Sequence, residues 1–252
     1  MKTFAVVGVI AVVAVALLVG GQWLWSTSRG TQPQRAFFKA VGSGDPDKVL
    51  ALLTAEARDD IDRPVLAAWM AAIQTRLGKF IDVSADGLLV KRTDVNGSQR
   101  IDTRANVNFE KGAARSHVVF RDGKIDSFEV TSERLGNDWF TGLADTQLYR
   151  QRGQQLLTYL LKDRPGDAYV MMHPNLQRNL PIDQLGLMIA ATIGQRGRLK
   201  SVSYAKEIFS ADKDGPSLTV YYSVACENNT RQGYVQFRFA NLKGHVVRFD
   251  TG

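Results

Sequence analysis

The sequence predicts an α+β protein in which two consecutive domains follow one N-terminal transmembrane helix. Three observations predict this class: an uncharged apolar run near the N-terminus, helical hydrophobic spacing followed by strand alternation, and the recurrence of that order in the second half. The chain is 44% apolar and carries a net charge of +7, a composition typical of globular proteins rather than disordered ones. The one cysteine, Cys226, excludes an intramolecular disulfide and a multi-cysteine metal site.

Residues 4–21 carry no charge, and the uncharged stretch continues through Trp23 and Trp25. About 20 helical residues, rising ~1.5 Å each, cross the hydrocarbon core of a bilayer. Tryptophans at the end of such a run are typical of the membrane interface. We therefore expect residues 4–25 to bind the lipid bilayer as a signal-anchor.

The orientation of this segment is predicted from its short positive stub, Lys2. The N-terminus is expected in the cytoplasm, and the domains are expected in the periplasm or the extracellular space of a bacterial cell. The alternative is a signal peptide, with residues 1–28 removed at a poor site in Ser26-Thr27-Ser28. Both interpretations place the rest of the chain outside the cytoplasm.

Helical spacing begins after a short linker. Residues 34–41 predict a first helix, and Asp45-Pro46 begins a second. Asp62 is expected to cap a third helix that has Pro64 in its first turn and ends at Gly78.

Strand signals follow the third helix. Phe80, Ile81 and Val83 predict the beginning of a strand that continues at residues 88–90, and Asn96-Gly97 is a strong hairpin turn. Between residues 101 and 109 apolar and polar residues alternate strictly, which predicts a sheet with one buried and one polar face. Two further strands are expected at either side of Asp122-Gly123.

The same order recurs when residue 37 is laid over residue 156. Matching apolar, proline and glycine positions indicate helix faces and helix ends in both halves. The matches include Phe37 with Leu156, Pro46 with Pro165, Leu66 with Leu185 and Gly78 with Gly197. We interpret the pattern as a tandem duplication; the alternative is two unrelated α+β domains with the same element order. The predicted parts are an anchor and linker at 1–33, domains at 34–132 and 148–252, and a linker at 133–147.

The stretch RAFFKAVGSGDPDKVLALLTAEAR, followed by a strand and hairpins, resembles the nuclear transport factor 2-like (cystatin-like cone) superfamily. Its Gly42-to-Pro46 segment fits the break after the first helix in bacterial members. The second copy keeps Pro165 but has Leu161 and Asp163 in place of the glycines. The resemblance implies that each domain packs about three helices on a curved antiparallel sheet, which forms a cone with a pocket. This fold carries isomerases, dehydratases and polyketide cyclases as well as non-enzymatic adaptors, so it does not specify a function.

An enzyme of this fold would need a carboxylate or a His–Asp pair in its cone. The candidates in the first domain are Asp102 and Arg104, with His117 on a neighbouring strand. Those in the second domain are Tyr221 and Arg238. The competing interpretation of the first group is a solvated outer face of the sheet. For the second group it is ordinary packing and solvation at the rim. No catalytic, cofactor-binding or metal-ligating motif stands out.

The basic residues are spread along the chain and are not interleaved with exposed aromatic residues, so we expect no nucleic-acid partner. The sequence favours a non-enzymatic, membrane-tethered binding or scaffold protein with protein partners outside the cytoplasm. Such a chain would be an accessory subunit of a membrane or envelope complex, without a cofactor. The alternative is a small-molecule binding protein or an isomerase- or dehydratase-like enzyme that uses a cone pocket.

Overall fold

The computed structural model describes residues 31–252 except 85–87, 96, 137 and 214. The membrane segment expected at residues 4–25 lies outside these residues, as does Asn96 of the predicted hairpin turn. Among the described helices, none has both the length and the apolar character needed to cross a membrane.

The predicted α+β class is confirmed: helices precede an antiparallel sheet in each half of the chain. Helix α1 occupies residues 31–42. The other helices are α2 Pro46–Leu50, α3 Ala55–Asp59, α4 Arg63–Leu77, α5 Gln147–Leu161, α6 Pro165–Val170, α7 Pro174–Asn179 and α8 Ile182–Arg196. The strands are β1 Phe80–Val83, β2 Leu89–Val95, β3 Ser98–Phe109, β4 Gly112–Arg121, β5 Lys124–Thr131, β6 Leu199–Asp212, β7 Gly215–Cys226, β8 Thr230–Ala240 and β9 Lys243–Asp250.

The chain divides into two compact units. The first comprises the described parts of Met1–Asp59 and Met70–Trp139. The second comprises Asp60–Trp69 and Phe140–Gly252, so the beginning of α4 is counted with the second unit.

The sheet of the first unit has the order β1-β3-β4-β5, and β2 also pairs with β3. The alternation predicted for residues 101–109 is confirmed, because Thr103, Ala105, Val107 and Phe109 are buried while the residues at 104, 106 and 108 are exposed. Buried side chains of β3 face helix α1, as the edge-to-face contact of Phe38 with Phe109 illustrates.

The sheet of the second unit has the order β6-β7-β8-β9. Its first strand, β6, is one long element that pairs with β7 from Leu199 to Asp212. The first unit instead has two separate strands, β1 and β2, at the same edge of its sheet. Hydrophobic spacing does not predict a strand at residues 199–212, because two bulges interrupt the alternation of this strand.

The two units make corresponding local contacts. In each, the chain after the second helix forms a parallel bridge with the last strand: Leu53 with Ile125, and Met172 with Val246. In each, a carboxylate at the end of the second hairpin strand accepts a hydrogen bond from the backbone just after the long helix. These pairs are Lys79 N with Glu110 at 3.1 Å and Arg198 N with Glu227 at 3.0 Å.

Three local expectations need correction. The first helix begins by residue 31 rather than 34, and short helices α3 and α7 add a turn that hydrophobic spacing did not indicate. Asp62 was expected to cap α4 with its side chain, but that carboxylate is bound by Tyr149, Arg152 and Gly244. The backbone carbonyl of Asp62 accepts the first helical hydrogen bonds instead.

Candidate functional site

The residues predicted in the first unit lie on the face of its sheet that does not pack on the helices. Strand alternation places Asp102 and Arg104 opposite to Thr103 and Ala105, which are buried toward the helices. In β4 the same rule places His117 on the face of Asp102 and Arg104, because its neighbours in sequence are buried. The three candidates therefore share one face of the sheet, the face that alternation predicted for Asp102 and Arg104.

The structure brings two of these residues into direct contact. His117 Nε2 lies 2.9 Å from Asp102 Oδ1, and both side chains are about one-third exposed. Strand register explains the contact: Arg104 lies directly opposite His117, so Asp102 reaches it diagonally from two residues away. Arg104 itself is exposed.

A carboxylate bonded to an imidazole holds the ring in one orientation and leaves its other nitrogen available for proton transfer. The surrounding water limits what this pair can do, because exposed charges interact weakly. The pair can orient a polar ligand or exchange a proton at the surface. It does not have the apolar enclosure that adapts a buried catalytic carboxylate to proton transfer near neutral pH.

A cleft of about 570 Å³ lies next to this pair on the same unit. Its polar lining comprises Asn106, Arg115, Thr131, Ser132, Glu133 and Arg134. Asn106 faces Arg115 across β3 and β4, and Arg115 faces Thr131 across β4 and β5, so the first three share one row of the sheet. Within the described residues, neither guanidinium forms an ion pair or hydrogen bond. The cleft therefore offers two exposed cations to an anionic group, next to the exposed carboxylate of Glu133.

Sequence reasoning did not single out Arg115 or Arg134. The spacing of two residues between Arg115 and His117 could have placed the former on the same face. Arg134 follows the last strand of the unit, and no periodic signal indicates where a side chain in such a segment lies.

The residues predicted in the second unit do not form one cluster. Tyr221 lies opposite Tyr234, with ring centroids 6.0 Å apart, and Lys206 Nζ lies 5.1 Å from the Tyr221 ring centroid. Arg238 lies further along β8, opposite Ser217 and His245. Tyr221 thus belongs to an aromatic and cationic patch, whereas Arg238 is near a pair of imidazoles.

That imidazole pair consists of His245 of β9 and His173, which is the N-cap residue of α7. The ring centroids are 5.1 Å apart. Burial lowers the pKa of His245, and the neighbouring His173 and Lys243 lower it further. The ring of His245 is therefore held in its neutral form more strongly than an exposed histidine.

The helix-facing side of the first sheet is filled by side chains. The amide of Gln34, which is fully buried, donates to Thr103 Oγ1 at 2.7 Å and accepts from Ser116 Oγ at 3.1 Å. Aromatic rings occupy the remaining space; they include Phe37, Phe38, Phe80, Phe109 and Phe128.

The second sheet is filled in a different way. The phenol of Tyr222 extends from β7 over Gly153 of α5 and donates to the carbonyl of Arg150 at 2.7 Å. Tyr149 packs edge-to-face on Phe237 with ring centroids 5.1 Å apart. Burial raises the pKa of Tyr222, so this hydroxyl remains protonated and serves as a hydrogen-bond donor in the core.

A buried carboxylate, Asp62, forms three hydrogen bonds in the second unit. Its side chain is 2% exposed and accepts from Tyr149 Oη at 2.7 Å, from the Gly244 amide at 2.8 Å and from the Arg152 guanidinium at 2.8 Å. Burial, and next the Asp62 charge, raise the pKa of Tyr149. Because each of these groups stabilises the carboxylate in place, we interpret the cluster as structural.

Among the described residues, no group of three or more histidine, cysteine, aspartate or glutamate side chains could hold a metal ion. Cys226 is buried in β7, where it packs as a small apolar side chain. Comparisons of the chain with family models, curated proteins and solved structures find no match.

Proposed function

We propose that this chain is a membrane-tethered binding or scaffold protein whose two folded units lie outside the cytoplasm. In this proposal residues 4–25 form the anchor, with the N-terminus in the cytoplasm, and the chain is an accessory subunit of a membrane or envelope complex. The apolar run in the sequence supports the anchor. The matching contacts of the two units support a duplication of one cone-like domain of the nuclear transport factor 2 type.

The observation that carries the binding role is the filling of both helix-facing sheet surfaces. A small-molecule enzyme of the proposed fold would use the space between helices and sheet, and that space holds Gln34, Tyr222 and packed aromatic and aliphatic side chains. Polar side chains of β3, namely Arg104, Asn106 and Asn108, instead face outward, where a macromolecular partner can reach them.

The test is purification of the tagged full chain from cross-linked membranes in mild detergent. We expect at least one other envelope protein to co-purify in a fixed ratio, by quantitative mass spectrometry against an untagged strain. Asp102→Asn provides a matched variant, because it removes the charge of the His117 pair without changing side-chain size. A scaffold keeps its partner in this variant; a chain that purifies alone contradicts the proposal.

A second candidate function is the binding of a small anionic ligand in the cleft beside His117. The observation that favours it is the presence of Arg115 and Arg134 in one cleft, without ion-pair partners among the described residues. Titration of the full chain with phosphate, pyrophosphate and citrate tests this candidate. Arg115→Gln should abolish binding, whereas Arg58→Gln, which removes an equal charge at an exposed position elsewhere, should not. Equal loss in both variants would indicate non-specific attraction.

A further inference from the structure

Helix α8 presents an apolar, uncharged surface to solvent. Leu187 is 72% exposed and Met188 51% exposed, and residues 184–195 contain no charged side chain. Its buried positions, such as Leu185 and Ile189, lie on a different side of the helix, about a quarter to a third of a turn away from this surface. Large exposed apolar side chains grouped on one face are typical of an interaction surface.

The corresponding helix of the first half has this face covered. Gln184 and Met188 occupy in α8 the positions that Val65 and Trp69 occupy in α4, when the halves are aligned as above. Val65 is 1% exposed and Trp69 is 5% exposed. The same helix position therefore packs in one half of the chain and is open in the other.

The open face is complementary to itself in an antiparallel arrangement. Gln184, Met188, Ala191 and Gln195 are all exposed and follow the four-three-four spacing of a helix-packing seam; we call them the α8 stripe. When two copies of α8 pair antiparallel about their midpoint, Met188 faces Ala191 of the second copy, so a large side chain meets a small one. Gln184 then faces Gln195, and two amides can satisfy each other.

The ends of the helix add charge complementarity. The exposed Asp183 lies at the beginning of α8, and the exposed Arg198 lies just beyond its end. An antiparallel pair brings each aspartate toward the arginine of the other copy and sets the helix dipoles in opposition. A parallel pair would instead align like charges. The charges and the stripe thus favour the same arrangement.

We propose that α8 binds α8 of a second copy of this chain as an antiparallel helix pair. A 15-residue helix is about 22 Å long, and such a pair buries less than the ~1,000 Å² that stable interfaces exceed. The pair therefore needs the high local concentration that a shared membrane supplies. In this respect the inference rests on the proposed tether.

Thiol cross-linking of the full chain in its membrane tests the pairing. Because the native Cys226 is buried, only the introduced cysteine is expected to form a disulfide between copies. Copies carrying Met188→Cys and Ala191→Cys, with tags of different length, are co-expressed and oxidised. We expect a disulfide-linked heterodimer from the mixture, at least about tenfold above either variant alone, because opposed positions satisfy the Cα spacing that a disulfide requires.

Ile81→Cys provides the matched control, since Ile81 is 62% exposed and belongs to the other unit. Cross-linking of Met188→Cys with itself as strongly as with Ala191→Cys would contradict the antiparallel arrangement, and equal cross-linking through Ile81→Cys would indicate random encounter. Either result overturns the inference. Neither affects the co-purification of other envelope proteins, so failure here is distinguishable from failure of the scaffold proposal.

A charge in the stripe supplies an independent measurement. Met188→Glu places like charges near each other in the pair, and we expect the dimer fraction captured by a chemical cross-linker in the intact membrane to fall by about tenfold, or ~1.4 kcal/mol. The folded state should be unaffected because the side chain is half exposed. A dimer fraction that does not change, with an unchanged melting temperature, would also refute the pairing.

Discussion

The Asp62 cluster allows a quantitative test of what holds the second unit together. Asp62→Asn keeps the shape of the side chain and removes its charge. The Asp62 side chain is 2% exposed and that of Arg152 is 32% exposed, so solvent reaches the guanidinium but not the carboxylate. Loss of one member of a buried ion pair costs ~3–5 kcal/mol. Because solvent also stabilises the partly exposed Arg152, we expect the free energy of unfolding to fall by about 3 kcal/mol, the lower limit of this range.

A double-mutant cycle separates the ion pair from the hydrogen bonds. Arg152→Gln leaves Asp62 with the Tyr149 hydroxyl and the Gly244 amide, so we expect a smaller loss of about 2 kcal/mol. The double variant should lose less than the sum, with a coupling free energy of ~1–2 kcal/mol.

The assay is urea unfolding of the purified full chain, monitored by circular dichroism. The dependence of the unfolding free energy on urea concentration should be the same in all variants. Asp138→Asn is the matched control, because Asp138 also binds an arginine, Arg76, but is exposed. Its substitution should leave the transition midpoint nearly unchanged. A coupling free energy below ~0.5 kcal/mol for Asp62 and Arg152 would refute the reasoning, since contacting charges in a buried site must couple.

Two further predictions concern the second unit. Gly153→Ala should destabilise it by ~1–3 kcal/mol, because a Cβ there would collide with the Tyr222 hydroxyl, whereas Gly186→Ala has open space and should be neutral or stabilising; thermal unfolding compares the two. The folded-state pKa of His245 is lowered, so its contribution to stability is present above the unfolded-state value of ~6.5 and is lost as pH falls toward the folded-state pKa. In His245→Gln the free energy of unfolding should therefore fall less as the pH is lowered below ~6.5. An unchanged dependence on pH would show that His245 is not the group responsible.

Hydrophobic periodicity predicts those helices and strands whose buried face follows directly from their own sequence. The alternation between residues 101 and 109 specified which face of β3 is buried, because that strand is central and has one wet face. The same rule predicts that Asp102 and Arg104 share the polar face, whereas the face of His117 on the next strand was not predicted. The contact of Asp102 with His117 depends on register, which the hairpin turns determine and which hydrophobic spacing alone leaves open.

Other features depend on long-range contacts that a linear pattern does not encode. Asp62 reads as a helix cap in the sequence, yet its side chain binds groups that lie far away along the chain. A glycine inside a helix ordinarily lowers the stability of that helix, but Gly153 provides the space that the Tyr222 hydroxyl occupies. The long strand β6 was missed because bulges break its alternation. In each case tertiary packing outweighs the local signal.

The most direct test of the proposed function is the topology of the tethered chain. Ile81→Cys supplies an exposed thiol, while the native Cys226 is buried. Cells with a permeabilised outer membrane are treated with a membrane-impermeant maleimide, and the membranes are then washed in alkaline carbonate. The proposal predicts that the labelled chain stays in the membrane pellet. Labelling only after lysis, or release of the chain by carbonate, would contradict it.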